Sequence, residues 1–139
     1  MTDRELLECA IEARKMSYSP YSNFRVGAAL VGKSGKIYTG CNVENAGYSP
    51  TNCAERTALF KAVSEGEREF TAIAIVGGKG DEIADFCAPC GVCRQVLAEF
   101  CESDFRIVLG TPANIQVYTL AELLPFSFGK GDLDESDLK

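Results

Sequence analysis

The stretch "FTAIAIVGG", residues 70–78, constrains the fold more than any other part of the chain. Thr71 is its only polar side chain. A strand apolar on both faces needs cover on both, and in a chain that also carries helical patterns the cover is helical. Three segments can supply it. In "MTDRELLECAIEARK", Leu6, Leu7, Ala10, Ile11 and Ala13 recur with helical spacing within residues 3–16, Thr2 stands at the N-cap and Glu5 follows three places on. From Cys53, "CAERTALFKAVSEG" is rich in helix formers, with Ala58, Leu59, Ala62 and Val63 on one stripe and a stop near Gly66. "GVCRQVLAEFC" predicts the third helix.

Four further strands complete the sheet. "FRVGAALVGKSGKIYTGCNVEN" reads as an antiparallel hairpin: one strand from Phe24 to Val31, a turn over Gly32 to Lys36, and a second strand from Ile37 to about Val43. "FRIVLG" and "NIQVYTL" are separated only by residues Gly110 to Ala113, which is hairpin length and too short for a parallel crossover. The order α-β-β-α-β-α-β-β predicts a three-layer α/β/α sandwich with a five-stranded mixed sheet. A chain of 139 residues, 46% hydrophobic, supports one domain over 1–139. From about residue 130 it turns acidic, an expected partly flexible tail.

Charge and cysteine content narrow the function. A net charge of −6 opposes binding to nucleic acids and anionic membranes, and no apolar run reaches signal-peptide or membrane-span length, so a cytoplasmic location is expected. Seven cysteines, an odd number, read in a reducing compartment as free thiols or metal ligands before disulfides. Histidine is absent. Ser-His and Cys-His nucleophile pairs and histidine metal ligands are therefore excluded, and proton transfer near neutrality falls to a perturbed Glu, Asp, Lys, Tyr or Cys.

"FCAPCGVCRQ" holds two overlapping C-x-x-C pairs, Cys87 with Cys90 and Cys90 with Cys93. Such a pair alone fits a structural zinc half-site or a thiol redox couple. Pro89 and the predicted helix from Gly91 favour Cys90 and Cys93, because free N–H groups at a helix start stabilise anionic sulfur. Cys53 opens another helix, two places before Glu55. A catalytic zinc takes three protein ligands and keeps one position free, whereas a structural site fills all four. Three thiolates and a carboxylate two residues from one of them are what a zinc deaminase requires.

Over nearly its whole length the chain resembles the small, homotetrameric cytidine deaminase family. The resemblance runs through "PYSNFRVGAAL", "GCNVENAGYSPTNCAERTAL", "APCGVCRQVLAEF" and "ELLPFSFGKGDL". "CAE" with "PCxxC" marks the deaminase superfamily, and "CNVENA" with "LLPFSFG" narrows it to the nucleoside branch. The resemblance implies deamination of cytidine and 2′-deoxycytidine. It implies one Zn2+ per subunit on Cys53, Cys90 and Cys93, and Glu55 as proton shuttle between water, N3 and the leaving ammonia. Arg56 resembles the family arginine that donates to the ligand sulfurs and offsets their charge. Asn42 and Glu44 resemble the pair that binds the ribose 3′-hydroxyl, Phe24 the aromatic beside the base, and the Ala54 backbone a donor to the base carbonyl. Phe128 and Tyr48 would come from neighbouring subunits, so the site would be complete only in the tetramer.

The plainer readings are concrete. Phe24 and Phe128 suit a core, Asn42 and Glu44 a solvated strand end, and Arg56 a helix surface. Cys9, Cys41 and Cys101 lie on apolar patterns and read as small buried residues. Cys87 reads as an apolar spectator. Within the enzyme reading, a blasticidin S deaminase shares "CAE" and "PCxxC"; outside it stands a non-catalytic zinc or thiol module.

Overall fold

The structure, a computed structural model, describes residues 1–133. Its elements are α1 (Asp3–Arg14), β1 (Phe24–Gly32), β2 (Ile37–Cys41), α2 (Ala54–Ser64), β3 (Phe70–Lys79), α3 (Gly91–Phe100), β4 (Arg106–Thr111), β5 (Asn114–Thr119) and α4 (Leu120–Leu123). The five strands lie in the order β2-β1-β3-β4-β5, with β3 and β4 parallel and every other pair antiparallel. The central position of β3 accounts for its unbroken apolar run.

Strand alternation divides β3 between two cores. Ala72, Ala74 and Val76 join Leu6, Leu7 and Ala10 of α1 on one side. Ile73 and Ile75 join Ala58 and Leu59 of α2 and Leu97 of α3 on the other. The α1 side is lined by small residues, and at Gly27 it has no room for even a methyl group: a Cβ there would lie 2.0 Å from the Ala10 carbonyl oxygen. The helix therefore rests on the sheet backbone. Leu7, Leu30, Leu59, Ile73 and Ile107 are essentially solvent-free, each contributing about 1.5–3 kcal/mol of burial.

The three-layer mixed-sheet expectation holds, with shifts at element ends. Helix α1 has the expected capping box between Thr2 and Glu5 but stops at Arg14 rather than residue 16. Strand β2 ends at Cys41, short of Val43. The reason lies in Asn42, whose carboxamide takes over the ladder: its Oδ1 accepts from Val26 N–H at 2.9 Å and its Nδ2 donates to the Phe24 carbonyl at 2.8 Å. Val43 then pairs with Asn52 just before α2. Helix α4 was not expected, although "TLAE" carries its capping box, Thr119 with Glu122. In the tail, Lys130–Leu133 form one 3-10 turn, and the expected flexible segment beyond it lies outside the described residues.

Candidate active site

Two helix N-termini converge at one edge of the sheet. Cys53 is the N-cap of α2 and Cys90 the N-cap of α3, both with extended backbone. Gly40 on β2 allows this placement, since a Cβ there would meet the Ala54 carbonyl at 2.5 Å and the Ala58 amide at 2.6 Å. The sulfurs of Cys53, Cys90 and Cys93 all lie within 4.8 Å of one another, and those of Cys53 and Cys90 are 3.7 Å apart. Thiolates about 2.3 Å from a tetrahedral zinc stand about 3.8 Å apart, so this donor set fits the ion. Among the described residues no other group of three potential ligands is so close.

Burial and charge distinguish the three thiols. Cys93 is buried, Cys53 half-buried and Cys90 exposed. The Cys90 sulfur accepts from the Cys93 amide at 3.5 Å, a bond from the first turn of α3. The Cys53 thiol is drawn well below its usual range by the Cys93 thiol and by Arg56, whose Nη2 lies 3.3 Å from Cys53 Sγ. The Cys93 thiol is pushed up by the same pairing and by burial. Arg56 is thus turned inward, and its buried Nε has no hydrogen-bond partner among the described residues.

Glu55, on the first turn of α2, is 4% exposed. Desolvation pushes its carboxyl up to about 7, against a backbone hydrogen bond that lowers it. It lines a cavity of about 210 Å³ together with Phe24, Val26, Asn42, Cys53, Ala54 and Cys90. A carboxyl of this kind beside a cluster of sulfurs can both take up and release a proton near neutral pH.

The remaining predicted residues divide. Phe24, Asn42 and Ala54 are in this cavity, whereas Glu44 and Tyr48 line an adjoining one of about 420 Å³, with Thr51 common to both. Asn42 and Glu44 are more engaged than a solvated strand end would be. Glu44 accepts from Tyr21 N–H at 3.0 Å, from Ser22 N–H at 3.1 Å and from the Ser22 hydroxyl, and the Ser22 bonds hold its carboxyl below the usual range. Tyr48 has φ 60° and projects outward, and Phe128 is exposed, with its carbonyl accepting from Gln95 Nε2 at 2.6 Å. Neither reaches the Glu55 cavity of its own chain.

Cys87 does reach it. Its thiol lines the cavity and packs where Gly77 has no side chain, 2.6 Å from where a Cβ would stand. Burial pushes that thiol up to about 11, which keeps it protonated. Asn52, Thr51 and Ala88 also line the cavity and went unread in the sequence. Their nearness to "CAE" and "PC" was the available signal.

A family model, cytidine and deoxycytidylate deaminase zinc-binding region, matches residues 1–110. The chain belongs to this family. A cytidine deaminase from Halalkalibacterium halodurans is 50% identical over 135 residues, 96% of this chain and 99% of that protein. A cytidine deaminase from Sporosarcina psychrophila is 48% identical over 134 residues, 96% of each chain. A crystal structure of cytidine deaminase from Burkholderia pseudomallei superposes with a TM-score of 0.84 at 49% identity, covering 92% of this chain and all of that one. The matches to these relatives cover 92–96% of this deaminase-family chain.

Proposed function

We propose that the chain catalyses hydrolytic deamination of cytidine and 2′-deoxycytidine to uridine and 2′-deoxyuridine, releasing ammonia, in salvage of pyrimidine nucleosides in the cytoplasm. The observation that carries this reading is a buried Glu55 in one small cavity with Cys53 and Cys90, two of three sulfurs spaced for one ion. Cys53, Cys90 and Cys93 would hold one Zn2+ per subunit, supplying the Lewis acidity that makes water acidic near neutral pH.

The protein's own part is proton movement and orientation. Glu55 accepts a proton from the attacking water and delivers it to N3 of the pyrimidine as C4 is attacked; it then takes the second proton from the new C4 hydroxyl and passes it to the departing amine, so that the C4–N bond breaks as C4=O forms and ammonia leaves. Its burial, which raises the carboxyl toward neutrality, suits both directions. Arg56 and the starts of α2 and α3 offset the thiolate charge. Phe24 flanks the base, and the Ala54 amide donates to its carbonyl. Asn42 retains one Nδ2 hydrogen and Glu44 one lone-pair direction for the ribose 3′-hydroxyl, the other capacity of Asn42 being spent on β1 and the Ser17 hydroxyl and that of Glu44 on residues 21–22. Tyr48 and Phe128, both exposed, would act on neighbouring sites of a homotetramer.

The test is ultraviolet monitoring of both nucleosides with zinc-loaded protein. Wild type turns over; Glu55→Ala, folded and metal-bound, loses about 10²–10⁴-fold in kcat, the range for one acid–base group. A zinc-loaded wild type inactive on both nucleosides rejects the reading.

A further inference from the structure

Arg14 is the only buried charged residue of α1, at 6% exposed. A buried guanidinium ordinarily takes a carboxylate partner, because desolvating a charge costs several kcal/mol. Here every hydrogen bond it makes among the described residues goes to a backbone carbonyl. Nε donates to Arg25 at 2.8 Å, and Nη2 donates to Gly78 at 2.9 Å, to Gly80 at 2.8 Å and to Glu82. The nearby Asp81 carboxylate is paired instead with Arg25, at 3.4 Å.

Those carbonyls belong to the segments that build the inner wall of the Glu55 cavity. Arg25 lies between Phe24 and Val26, which both line it. Gly78, Gly80 and Glu82 form the end of β3 and the turn that starts the return toward Cys87, Ala88 and Cys90. The turn returns to β3 through Ala84 N–H to the Gly77 carbonyl at 2.8 Å. Beyond it, residues 85–88 make no backbone–backbone hydrogen bond among the described residues. Their next anchor is the Pro89 carbonyl, which accepts from Arg94 Nε at 2.7 Å. The segment is suspended between two arginines, one behind the sheet and one on α3.

We infer that Arg14 is a positioning residue for the deaminase site, holding the Gly78–Glu82 turn so that Cys87 closes the cavity and Cys90 meets Cys53. The inference rests on the reading of Cys90 as a zinc ligand. Arginine is needed because its planar fork offers two separated donors, Nε to the Arg25 carbonyl on β1 and Nη2 to the carbonyls at the end of β3 and its turn; a lysine ammonium is a single point of donation.

The experiment compares full-length, zinc-loaded wild type, Arg14→Met and Arg14→Lys well below their melting temperatures. It reads hydrogen exchange of residues 79–93 and 54–64, zinc release to a chromogenic chelator, and kcat and KM for cytidine. Arg14→Met should speed exchange in 79–93 and zinc release by about tenfold or more, the scale of one lost charge-assisted hydrogen bond, with 54–64 unchanged. KM should rise more than kcat falls, and Arg14→Lys should lie between. Exchange that rises uniformly with the loss of melting temperature, or zinc release equal to wild type, overturns the inference. Should Arg14→Met not fold, Gly78→Ala perturbs the same turn with Arg14 in place, since its Cβ would come 2.1 Å from the Glu82 carbonyl. It must give the same local signature, and its absence overturns the inference equally. Exchange is read whether or not cytidine turns over, so a failed assignment of activity is distinguishable from a failed assignment of Arg14.

Discussion

Cys87 and Cys90 are three residues apart and chemically identical, yet the fold gives them different environments. Cys90 stands at the open start of α3 with its sulfur toward Cys53, while Cys87 fills the space above Gly77. Cys90→Ser should lose most bound zinc, and Cys87→Ser should retain it with kcat/KM within about tenfold of wild type, a barrier change under about 1.4 kcal/mol. Metal analysis with cytidine kinetics checks both; equal zinc loss in the two variants contradicts the ligand assignment. The sequence allowed the grouping of Cys53, Cys90 and Cys93 because helix starts and ligand spacing leave local marks. It did not reveal that Cys87 lines the cavity, nor the bonds of Asn42, Glu44 and Arg14. Those are contacts between segments, most of them side chain to backbone and spanning as many as 68 positions, and no periodicity encodes them.

Elements were readable where their pattern was internal to the segment, as in the capping box of α1 and the two hairpins. Their ends moved where a neighbour intervened, as Asn42 does at β2. Close approach between elements was hidden in single glycines. Gly40→Val should destabilise the fold by about 1–3 kcal/mol through overpacking and also weaken zinc binding, because the displaced turn of α2 carries Cys53 and Glu55. Denaturant melts and zinc titration test this; loss of stability with unchanged zinc affinity contradicts it. The start of α1 is tied to β4 by Arg106 Nη2 to Asp3 Oδ2 at 2.6 Å, which lowers the Asp3 carboxyl below its usual range. A depressed carboxylate contributes stability above its unfolded pKa, lost as pH falls through the folded one. Asp3→Asn should therefore cost under about 1 kcal/mol at neutral pH, and the difference should vanish as acid protonates the Asp3 carboxylate of the folded chain. A difference that persists in acid contradicts this account.

At the scale of the molecule, three aromatic side chains stand well outside both cores. Tyr48, Phe126 and Phe128 are 76%, 107% and 58% exposed, with Phe126 at φ 52°. In the tetramer reading Tyr48 and Phe128 meet neighbouring chains. Light scattering should give four times the chain mass, and Phe128→Ala should lower kcat/KM with zinc content unchanged. A fully active monomer rejects that assembly. The sulfur group adds a different property. Cys53 and Cys90 are 37 positions apart, and α2 and β3 lie between them. An ion that joins them only in the native chain shifts the unfolding equilibrium by mass action, in proportion to the logarithm of its free concentration. With zinc held there as proposed, the melting temperature would rise with the free zinc of the surrounding buffer and report on it as well as on the packing of the chain.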